Sequence, residues 1–228
     1  MVLVVGALLA AVLGPVLFVA AAVVALVLAA VAYLYADRLV LRLSHARPVS
    51  PDEEPRYHNL VEGLCVSAGL PKPELYVVDD PVANSFATGR NPAHAAIVVT
   101  TGLLQKLSRM ELEGVLAHEL SHIRSNDILV TSLGTALVAL PLMPVGSVAG
   151  RLLTALVGRG RERDADLSGV RLTRYPPGLA AALEKVRTDG AQAVSVSRAT
   201  AHLWIASPLD AEDGAGRLEA RIAALRDM

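Results

Sequence analysis

The sequence is short of charge, and the shortage is local. No charged residue precedes Asp37, and a second apolar stretch from Ile128 to Val157 holds a single charge, Arg151. Elsewhere the two signs nearly cancel, with 21 Lys and Arg against 22 Asp and Glu. A balance so close to zero gives no electrostatic footprint for nucleic acid. Cysteine is nearly absent. Cys65 alone excludes an intrachain disulfide, and its place in the helical pattern Leu60, Val61, Leu64, Cys65, Ala68 reads as a buried structural thiol, which fits a reducing compartment. There is no internal repeat and no low-complexity tract beyond the apolar bias of the two stretches. A basic leader is missing too, and the first apolar run is too long for a signal peptide, so it reads as retained.

What is present is a high apolar fraction, 53% over 228 residues, concentrated in those two stretches. Residues 1–45 read as a membrane anchor. As one helix the run to Ala36 reaches ~54 Å, against ~30 Å of hydrocarbon. Gly14-Pro15 is expected to break it, leaving either one tilted span from Val16 to Tyr35 or a tight hairpin. Arg38, Arg42 and Arg47 flank the run on its carboxyl side only. The positive-inside rule therefore places the following domain in the cytoplasm, at a cell (inner) membrane.

Residues 46–127 and 158–228 read as one mainly α domain with a small β-sheet (α+β). Ala46 to Pro55 reads as a linker. Tyr57 to Ala68 has helical periodicity and stops at Gly69-Leu70-Pro71. Three short strands are expected at Glu74–Val78, Asn84–Thr88 and Ala95–Thr100, each closed by a turn signal. A helix follows at Gly102–Leu107. The next begins after Ser108, with Glu111 as its capping-box partner, and runs to about Arg124. Further helices are expected at Arg159–Leu172, stopped by Pro176-Pro177, at Leu179–Arg187 and at Gly216–Arg226.

The helix after Ser108 carries His118-Glu119-Leu120-Ser121-His122. Two histidines four apart project from one helical face, where one zinc ion can bind both at ~2.0–2.1 Å. Glu119 then sits beside the metal, placed to take a proton from zinc-bound water. Val115, Leu116, Leu120 and Ile123 bury the helix, and buried histidines beside a glutamate are costly without a metal or a partner. Coincidence remains the alternative for so short a motif. Glu162 is the candidate third ligand. Asp166, one helical turn further on, is placed to accept the other ring N–H of a ligand histidine.

If His122 and Glu162 meet at one metal, the chain between them crosses a membrane an even number of times. Residues 128–157 number about 30, whereas two full spans need ~40 and a turn. The expectation is an apolar helical hairpin inserted in the catalytic domain, with short helices near Ile128–Leu140 and Val145–Val157 bent at Pro141-Leu142-Met143-Pro144.

With these segments in hand the sequence resembles the HtpX family of membrane zinc metalloproteases, relatives of the CAAX prenyl proteases. The resemblance rests on Ala46-Arg47-Pro48-Val49-Ser50-Pro51, Asn59 to Leu64, Ala68-Gly69-Leu70-Pro71-Lys72-Pro73, Asn84-Ser85-Phe86-Ala87-Thr88-Gly89, Val99 to Leu104, Glu111 to Ile123 and Glu162 to Asp166. It implies a zincin-like fold of gluzincin type. The implied activity is endopeptidase action on unfolded or membrane proteins in quality control and stress response, with polypeptide substrates and the bilayer as partners. It implies His118, His122 and Glu162 as Zn2+ ligands and Glu119 as general base. It also makes Asn84 to Thr88 the strand at the edge of the cleft, with Asn84, Phe86 and Ala87 against substrate. One departure stands out. The family's His-Pro pair before the last helix, which stabilises the oxyanion, falls at Ala215-Gly216. Tyr175 and Arg159 are candidates in its place, and His202 reads as structural. The departure keeps a second reading open, a catalytically impaired zinc-binding membrane scaffold or regulator.

Overall fold

The structure is a computed structural model describing residues 2–139, 160–189, 200, 203–206 and 213–228. The chain divides into two compact units, Met1–Tyr35 and Ala36–Met228. The first is helical throughout its described residues, as part of α1 (Val2–Leu43). The break expected at Gly14-Pro15 is not there, because α1 continues through Pro15. A proline removes one helical hydrogen bond. In an all-apolar segment the rest of the backbone still has no better partners than its own, so the helix persists. Pro15–Leu43 is by length and composition sufficient to cross a membrane. Leu17, Phe18 and Leu26 are among its many exposed apolar side chains.

In the second unit a four-stranded sheet has the order β1-β2-β4-β3. Its strands are β1 (Arg47–Pro48), β2 (Glu74–Val78), β3 (Ser85–Asn91) and β4 (His94–Thr100). β2 and β4 are parallel, and the other two pairings are antiparallel. β1 falls inside the expected linker. Arg47 and Pro48 pair with Val77 and Tyr76, so the chain leaving α1 is stitched to the sheet at once. β3 is an outer strand.

Side-chain alternation gives the sheet two apolar faces. Leu75, Val77, Ala87, Ile97 and Val99 face the main core, which also takes in residues of α2 (Pro55–Ala68), α4 (Arg109–Arg124) and α7 (Pro176–Asp189). Val78, Phe86 and Val98 face a smaller cluster with Val40 and Trp204.

α2 ends in Gly69, whose φ of 66° is the left-handed cap that glycine adopts without strain. Thr100 caps the short α3 (Thr101–Lys106). α4 opens with a complete capping box between Ser108 and Glu111 and ends at Arg124. α5 (Asp127–Ala139) is the first helix of the apolar stretch. The second, expected near Val145–Val157, lies outside the described residues.

Residues 160–173 form a further helix, α6. The Pro176-Pro177 pair expected only to stop it also opens α7, since proline suits a helix's first turn, where N–H groups have no partner. α8 (Asp213–Arg226) is the last helix. The mainly α fold with a small mixed sheet is the one the sequence indicated.

Candidate metal centre

Helix α4 builds the site because its apolar residues fix its orientation. Val115, Leu116, Leu120 and Ile123 are fully buried, and the remaining face carries His118, Glu119 and His122, themselves buried. The two Nε2 atoms stand 3.2 Å apart. Each lies 3.5 Å from a Glu162 oxygen, His118 from Oε2 and His122 from Oε1. Glu162 comes from α6, and Gly169 allows that helix its approach. A Cβ at Gly169 would lie 3.0 Å from the His118 backbone nitrogen.

Both imidazoles have a carboxylate behind them. His118 Nδ1 is 2.8 Å from Asp166 Oδ1, close but off the line of a well-aligned hydrogen bond. His122 Nδ1 is 3.3 Å from Asp127 Oδ2. A carboxylate at Nδ1 assigns the ring proton there and leaves the Nε2 lone pair free. Two lone pairs and a carboxylate then converge on one point, an arrangement that repels itself unless a cation is present. His118, His122 and Glu162 thus fit a metal by their donor chemistry, and their ligand atoms all lie within 4.8 Å of one another.

The electrostatics favour positive charge at the same point. Burial alone would depress the His118 pKa, but Asp166 and Glu162 outweigh it and raise it to about 9. Burial pushes Glu162 up, yet His118 and Arg221 hold its carboxyl well below the usual range. The same side chain is 40% exposed. Glu119 is buried and pushed up, with His118, His122 and Ser85 acting against that shift.

Three residues of the site escape a reading of the sequence. Ser85 Oγ donates to Glu119 Oε1 at 2.6 Å across 34 residues of chain. Arg221 of α8 donates through Nε and Nη2 to Asp166, both at 2.8 Å, and its Nη1 is 3.0 Å from Glu162. Asp127 opens α5, with Arg161 3.3 Å from its Oδ2. Only Asp127 left a signal, a carboxylate five residues after His122.

Of the three residues matched to a substrate role, Ala87 lines the cavity with His118, Glu119, His122 and Ile205. The side chains of the other two, Asn84 and Phe86, are engaged within the chain. The Asn84 carboxamide is engaged by the chain itself, donating to Ala206 O at 2.9 Å and accepting from Ala206 N at 3.2 Å. Phe86 points to the opposite face of the sheet and packs on Trp204 at 4.7 Å between ring centroids. Strand alternation requires this, because Ser85 and Ala87 face Glu119. Of the oxyanion candidates, Tyr175 is exposed and packs near Met110 at the far end of α4. Arg159 and His202 lie outside the described residues.

Residues 51–202 match peptidase family M48. The chain is 37% identical over 212 residues to the protease HtpX homolog of Tropheryma whipplei, covering 79% of this chain and 73% of that one. It is 38% identical over 209 residues to the Dictyoglomus thermophilum homolog, covering 78% and 69%. With the Burkholderia multivorans homolog it shares 34% over 208 residues, covering 78% and 73%. The crystal structure of S. mikatae Ste24p is similar in fold, with a TM-score of 0.55 and 19% identity over 96% of this chain and 64% of that one. The chain belongs to peptidase family M48, among its HtpX-like members. It is a membrane-associated metalloprotease, and the reading as an inactive scaffold is not favoured.

Proposed function

We propose that this protein is a zinc-dependent endopeptidase of gluzincin type, with Zn2+ held by His118, His122 and Glu162 and with Glu119 as general base. The observation that carries the reading is the convergence of two Nε2 atoms and the Glu162 carboxylate on one point. When bound there, zinc supplies Lewis acidity, polarising the scissile carbonyl and lowering the pKa of water. Glu119 lies beside that point, raised in basicity by burial, so it takes the proton of the attacking water and hands it to the leaving amine. Asp166 and Asp127 hold the imidazoles in the tautomer that presents Nε2. A closed structural site has four protein ligands, whereas three come together among the described residues.

Substrates in this proposal are unfolded or membrane polypeptides, approached from the cytoplasmic side of an inner membrane. Residues 1–45 anchor the enzyme. Residues 46–127 and 158–228 form the catalytic domain, and 128–157 are an apolar hairpin inserted in it. The main chain of β3 at Ala87 receives an extended stretch of substrate by strand pairing.

The test uses the full chain purified in detergent with zinc. Casein cleavage is compared with that of Glu119→Gln, with zinc content measured for both and for Glu162→Ala. The expected result is zinc in the first two, cleavage by the wild type alone, and loss of zinc from Glu162→Ala. Equal cleavage by Glu119→Gln would remove Glu119 as the base, and no cleavage by either would remove the protease reading.

A further inference from the structure

The free edge of β3 is much shorter than β3 itself. Thr100 N–H donates to Asn84 O at 3.0 Å. By the antiparallel register, Asn84, Phe86 and Thr88 therefore turn their peptide groups toward β4, and Ser85, Ala87 and Gly89 turn theirs outward. Two of those three outward residues are already engaged. Ser85 C=O accepts from Ile205 N–H at 2.9 Å, and the Asn84 carboxamide extends that contact to both peptide groups of Ala206. At the other end Gly89 N–H donates to Ser132 Oγ of α5 at 3.2 Å. Between them Ala87 has no outward main-chain partner among the described residues.

Leu203 to Ala206 is firmly seated. Trp204 and Ile205 go to opposite faces of the sheet, as neighbours in an added strand do, and both are buried. Arg221 Nη1 makes a weak contact of 3.5 Å with Ile205 O. Displacing the segment would expose two large apolar side chains. An incoming strand would return only a few main-chain hydrogen bonds, each a small net gain over water. The opposite stop is a buried serine on a helix, its hydroxyl also bonded to Thr88 Oγ1 and Ile128 O.

We propose that substrate is gripped through its main chain at one residue only, the one opposite Ala87, with Ile205–Ala206 and Ser132 as fixed stops on either side. This rests on the reading that substrate pairs with β3. The chain of a substrate then turns away from the strand on both sides of that residue. Selection falls on polypeptide able to present a single extended residue between turns, bordered by the apolar side chains of Ile128, Leu203 and Ile205. A long β-strand gains nothing from its length.

The test takes the bond in casein that the zinc-loaded full chain cuts most often. A decapeptide spanning that bond is made in a series in which each amide other than the scissile one is replaced by an ester, removing one N–H donor at a time. One ester should lower kcat/KM about tenfold, the loss of one hydrogen bond, and the others should stay within threefold. Two sensitive positions spaced two residues apart would overturn the proposal, because a stop would then have yielded to a longer strand. A series with no sensitive position would overturn it differently, removing the pairing with β3 itself while leaving the Glu119→Gln comparison intact.

Discussion

His118 and His122 are one helical turn apart, yet the protein supports them differently. Behind His118, Asp166 is 5% exposed and 2.8 Å away, and it is clamped by two donors of Arg221, itself 11% exposed. Behind His122, Asp127 is 22% exposed and 3.3 Å away, with Ser125 and Arg161 as its other partners. A buried, doubly bonded carboxylate has one position, whereas a half-exposed one can exchange its partner for water. One imidazole is thus held by the core and the other by the start of a helix. The rigid half of the site should tolerate change least.

The largest effect is expected from Asp166→Asn. It weakens the brace on His118 and leaves Arg221 with Glu162 as its remaining anionic partner. Zinc affinity should fall about 10–100-fold, and weakening the hydrogen bonds to Arg221 should cost about 1.5–3 kcal/mol of stability. Zinc titration and denaturant unfolding would read both. An Asp166→Asn protein matching the wild type in both would end the comparison.

Gly169→Ala probes the same half from its backbone. Its new Cβ would crowd His118 N at 3.0 Å, forcing α6 away from α4. Overpacking of this kind costs about 1–3 kcal/mol, and because Glu162 and Asp166 ride on α6, zinc affinity should fall with stability. A loss of stability alone would show that α6 can shift without moving its ligand.

Asp127→Asn should act more weakly, lowering zinc affinity less than about tenfold with little change in unfolding. Equal losses from Asp127→Asn and Asp166→Asn would mean that burial of the brace does not matter.

The smallest effect serves as a control on the same helix. Burial acts to raise the Glu111 pKa, but Lys185 and Ser108 outweigh it and lower it. A lowered folded pKa stabilises the protein above the ordinary glutamate value and loses that stabilisation as pH falls through the lowered one. Glu111→Gln should therefore cost about 0.5–1 kcal/mol at neutral pH, flatten the acid side of the stability curve and leave zinc content unchanged. Altered zinc content would tie the capping box to the site.

Much of this was legible in local sequence because local physics sets it. The capping box at Ser108 and Glu111, the left-handed stop at Gly69 and the two histidines on one face of α4 each depend on residues within four of one another. Glu162 and Asp166 were legible as a pair for the same reason, although not their distance from α4. The proline at position 15 misled, since its ordinary effect assumes backbone groups with water to turn to. Which side chains of β3 meet Glu119 was not legible, because a strand's residues alternate faces and the choice depends on how β3 lies against α4.

The sequence by itself determined most of the elements, the motif and its register on one helix, since spacing along a helix follows from 3.6 residues per turn. Only the tertiary structure decided which distant groups stand behind that motif. Ser85 reaches Glu119 from a strand, Arg221 reaches Asp166 from the last helix, and Ile205–Ala206 closes one end of β3. Those contacts are set by the packing of separate elements into one core, which no local periodicity encodes.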